Sequence, residues 1–166
     1  MESAPGGNQT KSTTLRDVED AWMLCSEPEE FWFDLFQSPT ILRRSKTFRG
    51  GLADLEFGRY KNMKGDWIDN DRAVWLKMIT SDVPGSGGQL LQSITRVCGR
   101  ANLAVVGTPT PLKPKDWDPS RHFDFDVTRL VHWYMKHGFR VIQNSHETRI
   151  IFAPTSSALT VDFSLF

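Results

Sequence analysis

The chain has 166 residues, of which 39% are hydrophobic, and its 20 basic side chains are balanced by 20 acidic ones. A chain of this size buries roughly 70% of its unfolded surface, enough for one independently stable core, so a single domain is the expectation. The balance of charge gives no overall field to attract nucleic acid or an anionic membrane surface, which counts against both as partners.

No apolar run approaches the ~18 residues of a membrane span, and the opening MESAPGGNQTKST lacks a signal peptide's apolar centre, so a cytoplasmic protein is expected. Residues 1–13 read as a disordered tail and 14–166 as one domain. Thr14 followed by Asp17 marks a helix start, with Val18, Ala21, Trp22 and Cys25 at helical spacing to about Leu24. Ser26 with Glu29 repeats that signal, and Phe31, Trp32, Leu35 and Phe36 supply an apolar face, so a second helix is predicted, ended by Ser38 and Pro39. A local basic patch comes next, at Arg43, Arg44 and Lys46.

From Lys46 to Tyr60 the pattern predicts two strands broken at Gly50 and Gly51, then a polar turn region at KGDWIDND. AVWLKMIT reads as a buried strand with Val74, Leu76 and Met78 on one face. Leu90, Leu91, Ile94, Val97 and Cys98 predict an amphipathic helix, with Gly99 as its left-handed cap, and LAVVG a buried strand. The four prolines of TPTPLKPKDWDPSRHFDF mark a long connection that is either functional or mobile. Asp126 caps a helix carrying Val127, Leu130, Val131 and Tyr134, stopped at Gly138, and FRVIQNSHETRIIFAP predicts two strands about an NSHE turn, with a last strand in ALTVDFSLF. Cys25 and Cys98 are expected as buried, reduced core thiols.

The sharpest chemical signal is the run Gly85, Ser86, Gly87 and Gly88 between a buried strand and a helix, because small residues let backbone N–H groups approach a phosphate at a helix N-terminus. A Walker A loop would require Lys and Ser or Thr where Gln89, Leu90 and Leu91 stand, and a dinucleotide fingerprint would require glycine at Leu90. A tight turn that binds nothing is the bland alternative.

The strand, DVPGSGGQLL, the helix, LAVVG and a helix ending WYMKHGF together resemble the GNAT superfamily of acyl-CoA-dependent N-acyltransferases. Gly85 and Gly87 match the glycines of that family's pyrophosphate loop, Leu90 and Leu91 its usual leucine pair, and Tyr134, Gly138 and Phe139 its Tyr-x-x-x-Gly-Phe helix end. The resemblance implies an α/β (α+β) fold, a mixed twisted sheet of about six or seven strands with about four helices. It also implies acetyl-CoA as co-substrate, an amine of a protein or small molecule as acceptor, and direct attack without a covalent intermediate. A homodimer is compatible with it.

On that resemblance Val83, Gly85, Ser86, Gly87, Gly88 and Gln89 hold the coenzyme, and backbone N–H groups near Ile79 and Thr80 polarise the thioester carbonyl. Tyr134 is the general acid for the departing thiolate, against a plain core role on its helix face. Glu56 and Asp82 are the candidate general bases, each weighed against an ordinary solvated carboxylate. Asp82, Pro84 and Val127 depart from the family pattern and support the alternative of a binding or inhibitor protein that has lost turnover. His122, Asp124 and Asp126 form a candidate cation cluster whose members are more simply loop and cap residues, so no metal is expected.

Overall fold

The computed structural model describes residues 13–143 and 147–154; all but the last residue of the expected N-terminal tail, most of the NSHE turn and the last strand in ALTVDFSLF lie outside them. Helix α1 (Leu15–Leu24) starts on a full capping box, in which the Thr14 side chain accepts from the Asp17 N–H and Asp17 accepts in return from the Thr14 N–H. The predicted second helix is instead strand β1 (Ser26–Phe31), which pairs antiparallel with β2 (Thr40–Ser45) from Ser26↔Ser45 to Phe31↔Thr40. Phe31, its one aromatic residue, suits a strand as well as a helix, and the ladder settles the choice. Pro28 is tolerated because β1 is an edge strand.

Two long strands, β3 (Gly51–Lys61) and β4 (Trp67–Ser81), form the centre, and the expected polar turn region shrinks to a tight turn. Asn62 Oδ1 accepts from the N–H groups of Lys64 (2.9 Å) and Asp66 (3.0 Å), so β4 begins at Trp67, well inside KGDWIDND. Helix α2 (Ser86–Arg100) leads to β5 (Ala104–Gly107), then the long loop to α3 (Val127–Lys136), β6 (Arg140–Gln143) and β7 (Thr148–Phe152). The sheet order is β1-β2-β3-β4-β5-β7-β6, with β4 and β5 parallel and every other pair antiparallel. The described chain is therefore α+β, with a mixed seven-stranded sheet and three helices instead of the four expected.

One irregularity positions the site. Asp54 pairs with Met78 but Leu55 with Leu76, so β4 carries one extra residue, Lys77, against β3. That bulge reverses the alternation of side chains: Val74 and Leu76 pack into the larger core, Ile79 rejoins it, and Met78 turns to the opposite face with Leu42 and Leu52. The expected alignment of Val74, Leu76 and Met78 is thereby corrected. Pairing of β4 with β5 ends at Leu76↔Gly107, just where the bulge begins. Gly107 permits this last contact, since a Cβ there would lie 2.9 Å from the Leu76 carbonyl oxygen.

All three helices feed the larger core, through Val18, through Leu90, Leu91 and Ile94, and through Tyr134. The other face of the sheet carries two smaller clusters, around Tyr60 and Trp75 and around Phe33 and Leu42. Cys98 is buried as expected, but Cys25 is exposed because α1 ends at Leu24 and Cys25 is its C-cap. Gly99 lies within α2, and the left-handed residue after that helix is Asn102, with φ 59°.

Candidate functional site at the parting of β4 and β5

Beyond Leu76 and Gly107 the two parallel strands separate, and a cavity of about 550 Å³ opens between them. Its walls are the β4 segment from Leu76 to Ser81, the start of α2 at Gly85, Gly87 and Gly88, the α3 face of Leu130, Trp133 and Tyr134, and the proline-rich loop. This is the carboxyl end of parallel strands, where open α/β sheets bind ligands. Residues Met78 to Ser81 still pair with Asp54 to Gly51 of β3, so their other edge faces the cavity without a strand partner. Successive backbone groups of a strand point to opposite edges, so one of Ile79 and Thr80 presents its N–H to the gap.

The glycine loop divides its amides between turn and cavity. The Ser86 N–H donates to the Val83 carbonyl (3.2 Å) and the Gln89 N–H to the Gly85 carbonyl (3.1 Å), closing the turn. The N–H groups of Gly85, Gly87 and Gly88 have no backbone partner among the described residues, and these are the loop residues that line the cavity. Gly85 sits at φ 86°, a left-handed conformation that favours glycine, and supplies no side-chain cap. The Ser86 side chain packs on Gly50, whose added Cβ would lie 2.5 Å from Ser86 Oγ. Val83 and Gln89 are exposed, and neither they nor Ser86 line the cavity, so these three enter the site only through the backbone of the turn.

Arg44 corrects the expected charge of this region. Its guanidinium donates to both oxygens of Asp82 (3.1 and 2.7 Å), to Glu29 (2.6 Å) and to the Arg49 carbonyl (2.6 Å). The hydrogen bond to Asp82, ahead of that to Glu29, holds the Arg44 guanidinium well above its ordinary value. Asp82 is thus neutralised next to the loop, and as a base it is occupied. The basic patch disappears too: Arg43 donates to Ser26 and to the Met23 carbonyl, and Lys46 lies 3.7 Å from Glu27.

Tyr134 is on the cavity wall, only 5% exposed, with Trp133 and Phe139 rings edge-on at 4.9 and 5.3 Å. Burial pushes its phenol well above the usual range, so the proton stays on through neutral pH. Its hydroxyl makes no hydrogen bond among the described residues. Glu56, by contrast, faces Trp75 across the β3–β4 ladder, is gripped by Arg59 (Nε at 2.5 Å) and is not on the cavity wall. The structure does not bring it to Tyr134. A strand position on a polar face fixes which face a residue takes, and Glu56 lies where β3 has already left the gap.

The proline-rich loop is held in place as a roof. Phe33 bridges Pro114, the Asp34 N–H donates to the Lys113 carbonyl (2.8 Å) and the Lys115 N–H to the Trp32 carbonyl (2.9 Å). Trp117 donates to the Arg121 carbonyl (2.9 Å) and meets Phe123 edge-on at 5.2 Å. His122, Asp124 and Asp126 line the cavity, but the Asp126 carboxylate caps Thr128 while Asp124 accepts from the Asp126 N–H and Arg129. The Asp126 N–H, above all, holds the Asp124 carboxyl below its usual range. Among the described residues no group of three His, Cys, Asp or Glu is arranged to hold a metal ion.

Two contributors escape the sequence. Phe33, inside the segment read as a helix but not among the residues of its predicted apolar face, lines the cavity from the β1–β2 connection. Thr108, at the end of β5, accepts from buried Arg149 (2.8 Å) and donates to Glu147 (3.2 Å); only an arginine beside Ile150 and Ile151 in a strand pattern hinted at such a buried network. The assembled site can receive an anion on three amides, lay an extended amide-bearing chain along the open edge of β4, and offer a neutral phenol as proton donor. Comparison of the chain with protein-family models, with curated proteins and with solved structures finds no match.

Proposed function

We propose that the chain is an N-acyltransferase of GNAT type that moves an acetyl group from acetyl-CoA to an amine. The observation that carries this reading is the convergence on one cavity of three unpartnered glycine amides, the strandless edge of Met78 to Ser81, and Tyr134. The coenzyme diphosphate lies at Gly85, Gly87 and Gly88, where the dipole of a 15-residue helix adds to the amides. Its amide-bearing arm follows the open edge of β4, and the thioester carbonyl oxygen accepts from the N–H at Ile79 or Thr80. The neutral amine attacks the carbonyl carbon; the tetrahedral oxyanion collapses and expels the thiolate, which takes the Tyr134 proton. The amine's own proton passes to solvent in the cavity, which returns a proton to the Tyr134 phenolate, since Glu56 and Asp82 are held by Arg59 and Arg44.

Calorimetric titration with acetyl-CoA, joined to a thiol-release assay over a panel of primary amines, tests this reading. Binding with amine-dependent thiol release is the expected result; no binding at millimolar coenzyme would remove the proposal. A second reading, a binding or inhibitor protein on the same scaffold, draws on the ion-paired Glu56 and Asp82 and on the exposed Phe36, whose ring meets the cavity-lining Phe33. It predicts tight protein capture and no thiol release with any amine.

A further inference from the structure

A second cavity, of about 250 Å³, lies between α1 and α2 over the β3 residues Leu55 and Phe57, and it shares no wall residue with the first. Its interior is mostly apolar, yet two polar groups there are unmatched. The Trp22 indole Nε1 is buried without a hydrogen-bond partner, but it has almost no accessible surface and lies behind the cavity wall, out of a ligand's reach. Arg96 on α2 makes no ion pair among the described residues and is exposed on the same wall. Among the described wall residues Arg96 is the one cation, and no carboxylate accompanies it. An apolar body carrying one negative charge would match the apolar walls and their single cation.

We propose that this α1–α2 cavity is a second binding site, for an apolar monocarboxylate larger than benzene, such as a medium-chain fatty acid, with Arg96 holding its carboxylate. An engineered void of about 150 Å³ already takes benzene, so the volume sets the lower size. The single cation argues against dicarboxylates and phosphates. The site is independent of the coenzyme reading.

Cys25 supplies a built-in reporter, because it is exposed on this wall whereas Cys98 is buried. Octanoate, titrated calorimetrically into the full chain, is expected to bind and to slow alkylation of Cys25 by iodoacetamide. Arg96→Ala is expected to weaken octanoate roughly threefold to tenfold and to leave the uncharged analogue 1-octanol unchanged. No heat and no protection of Cys25 at millimolar octanoate, or equal loss of octanol and octanoate in Arg96→Ala, would overturn the proposal. Acetyl-CoA affinity should be unmoved by octanoate; competition between them would overturn the independence of the two sites.

Discussion

Arg44, on β2, clasps both carboxylate oxygens of Asp82, three positions before the first glycine of the α2 loop. An anion arriving at the helix N-terminus therefore meets an ion pair instead of a bare carboxylate. Arg44→Ala should raise the acetyl-CoA Kd roughly threefold to tenfold, the effect shrinking with salt because the pair is partly exposed. Adding Asp82→Asn to that variant should restore affinity. Calorimetry on the two variants decides it, and a double variant as weak as the single one would show that charge at Asp82 is not the cause.

Tyr134→Phe should lower turnover by roughly tenfold to a thousandfold while moving unfolding free energy by less than about 0.5 kcal/mol. The hydroxyl contributes no hydrogen bond to the described fold, and the ring contacts with Trp133 and Phe139 survive the change. Full activity in the variant would return Tyr134 to a purely packing role.

Gly107→Ala should destabilise the protein by about 1–3 kcal/mol, because the new methyl meets the Leu76 carbonyl oxygen at 2.9 Å and backbone yields poorly. Urea unfolding is the measurement. An unchanged midpoint would mean that β5 can shift away from β4 at little cost.

Alkaline stability should track Cys98. Burial raises its thiol from 9.0 to about 12, so between those values the folded chain keeps a proton that the unfolded chain has released. Stability is then complete below about pH 9 and falls as the pH rises toward 12, with a slope near 1.4 kcal/mol per pH unit for this one proton. Cys98→Ala should flatten the decline, seen as a smaller drop in Tm from pH 9 to pH 11.

Where the sequence carried a local signal, the fold was legible. Thr14 with Asp17, Asp126 as a cap and Gly138 at φ 89° each mark a helix end by chemistry that needs no distant partner. The strand at Ser26–Phe31 was not legible, because Phe31, Trp32, Leu35 and Phe36 satisfy helical spacing and only the ladder with Thr40–Ser45 decides otherwise. Lys77 bears no mark of a bulge, so the reversal of Met78 and the parting of the strands could not be read. The glycine loop and Tyr134 fall on one cavity wall, whereas Glu56 depended on a register that no single strand discloses. Arg44 looked like part of a basic surface because its partners, Glu29 and Asp82, are distant in the chain.

The gap between β4 and β5 would heal if β5 ran on, because the bare edge of Met78 to Ser81 is a template for any strand laid beside it. Gly107 is succeeded in the chain by Thr-Pro-Thr-Pro, and Pro109 and Pro111 each lack the amide hydrogen that a continued parallel ladder would need. The prolines thus act as a zip-stop, and replacing both with valine would be expected to seal the opening by self-pairing and to abolish ligand entry while leaving a well-folded sheet.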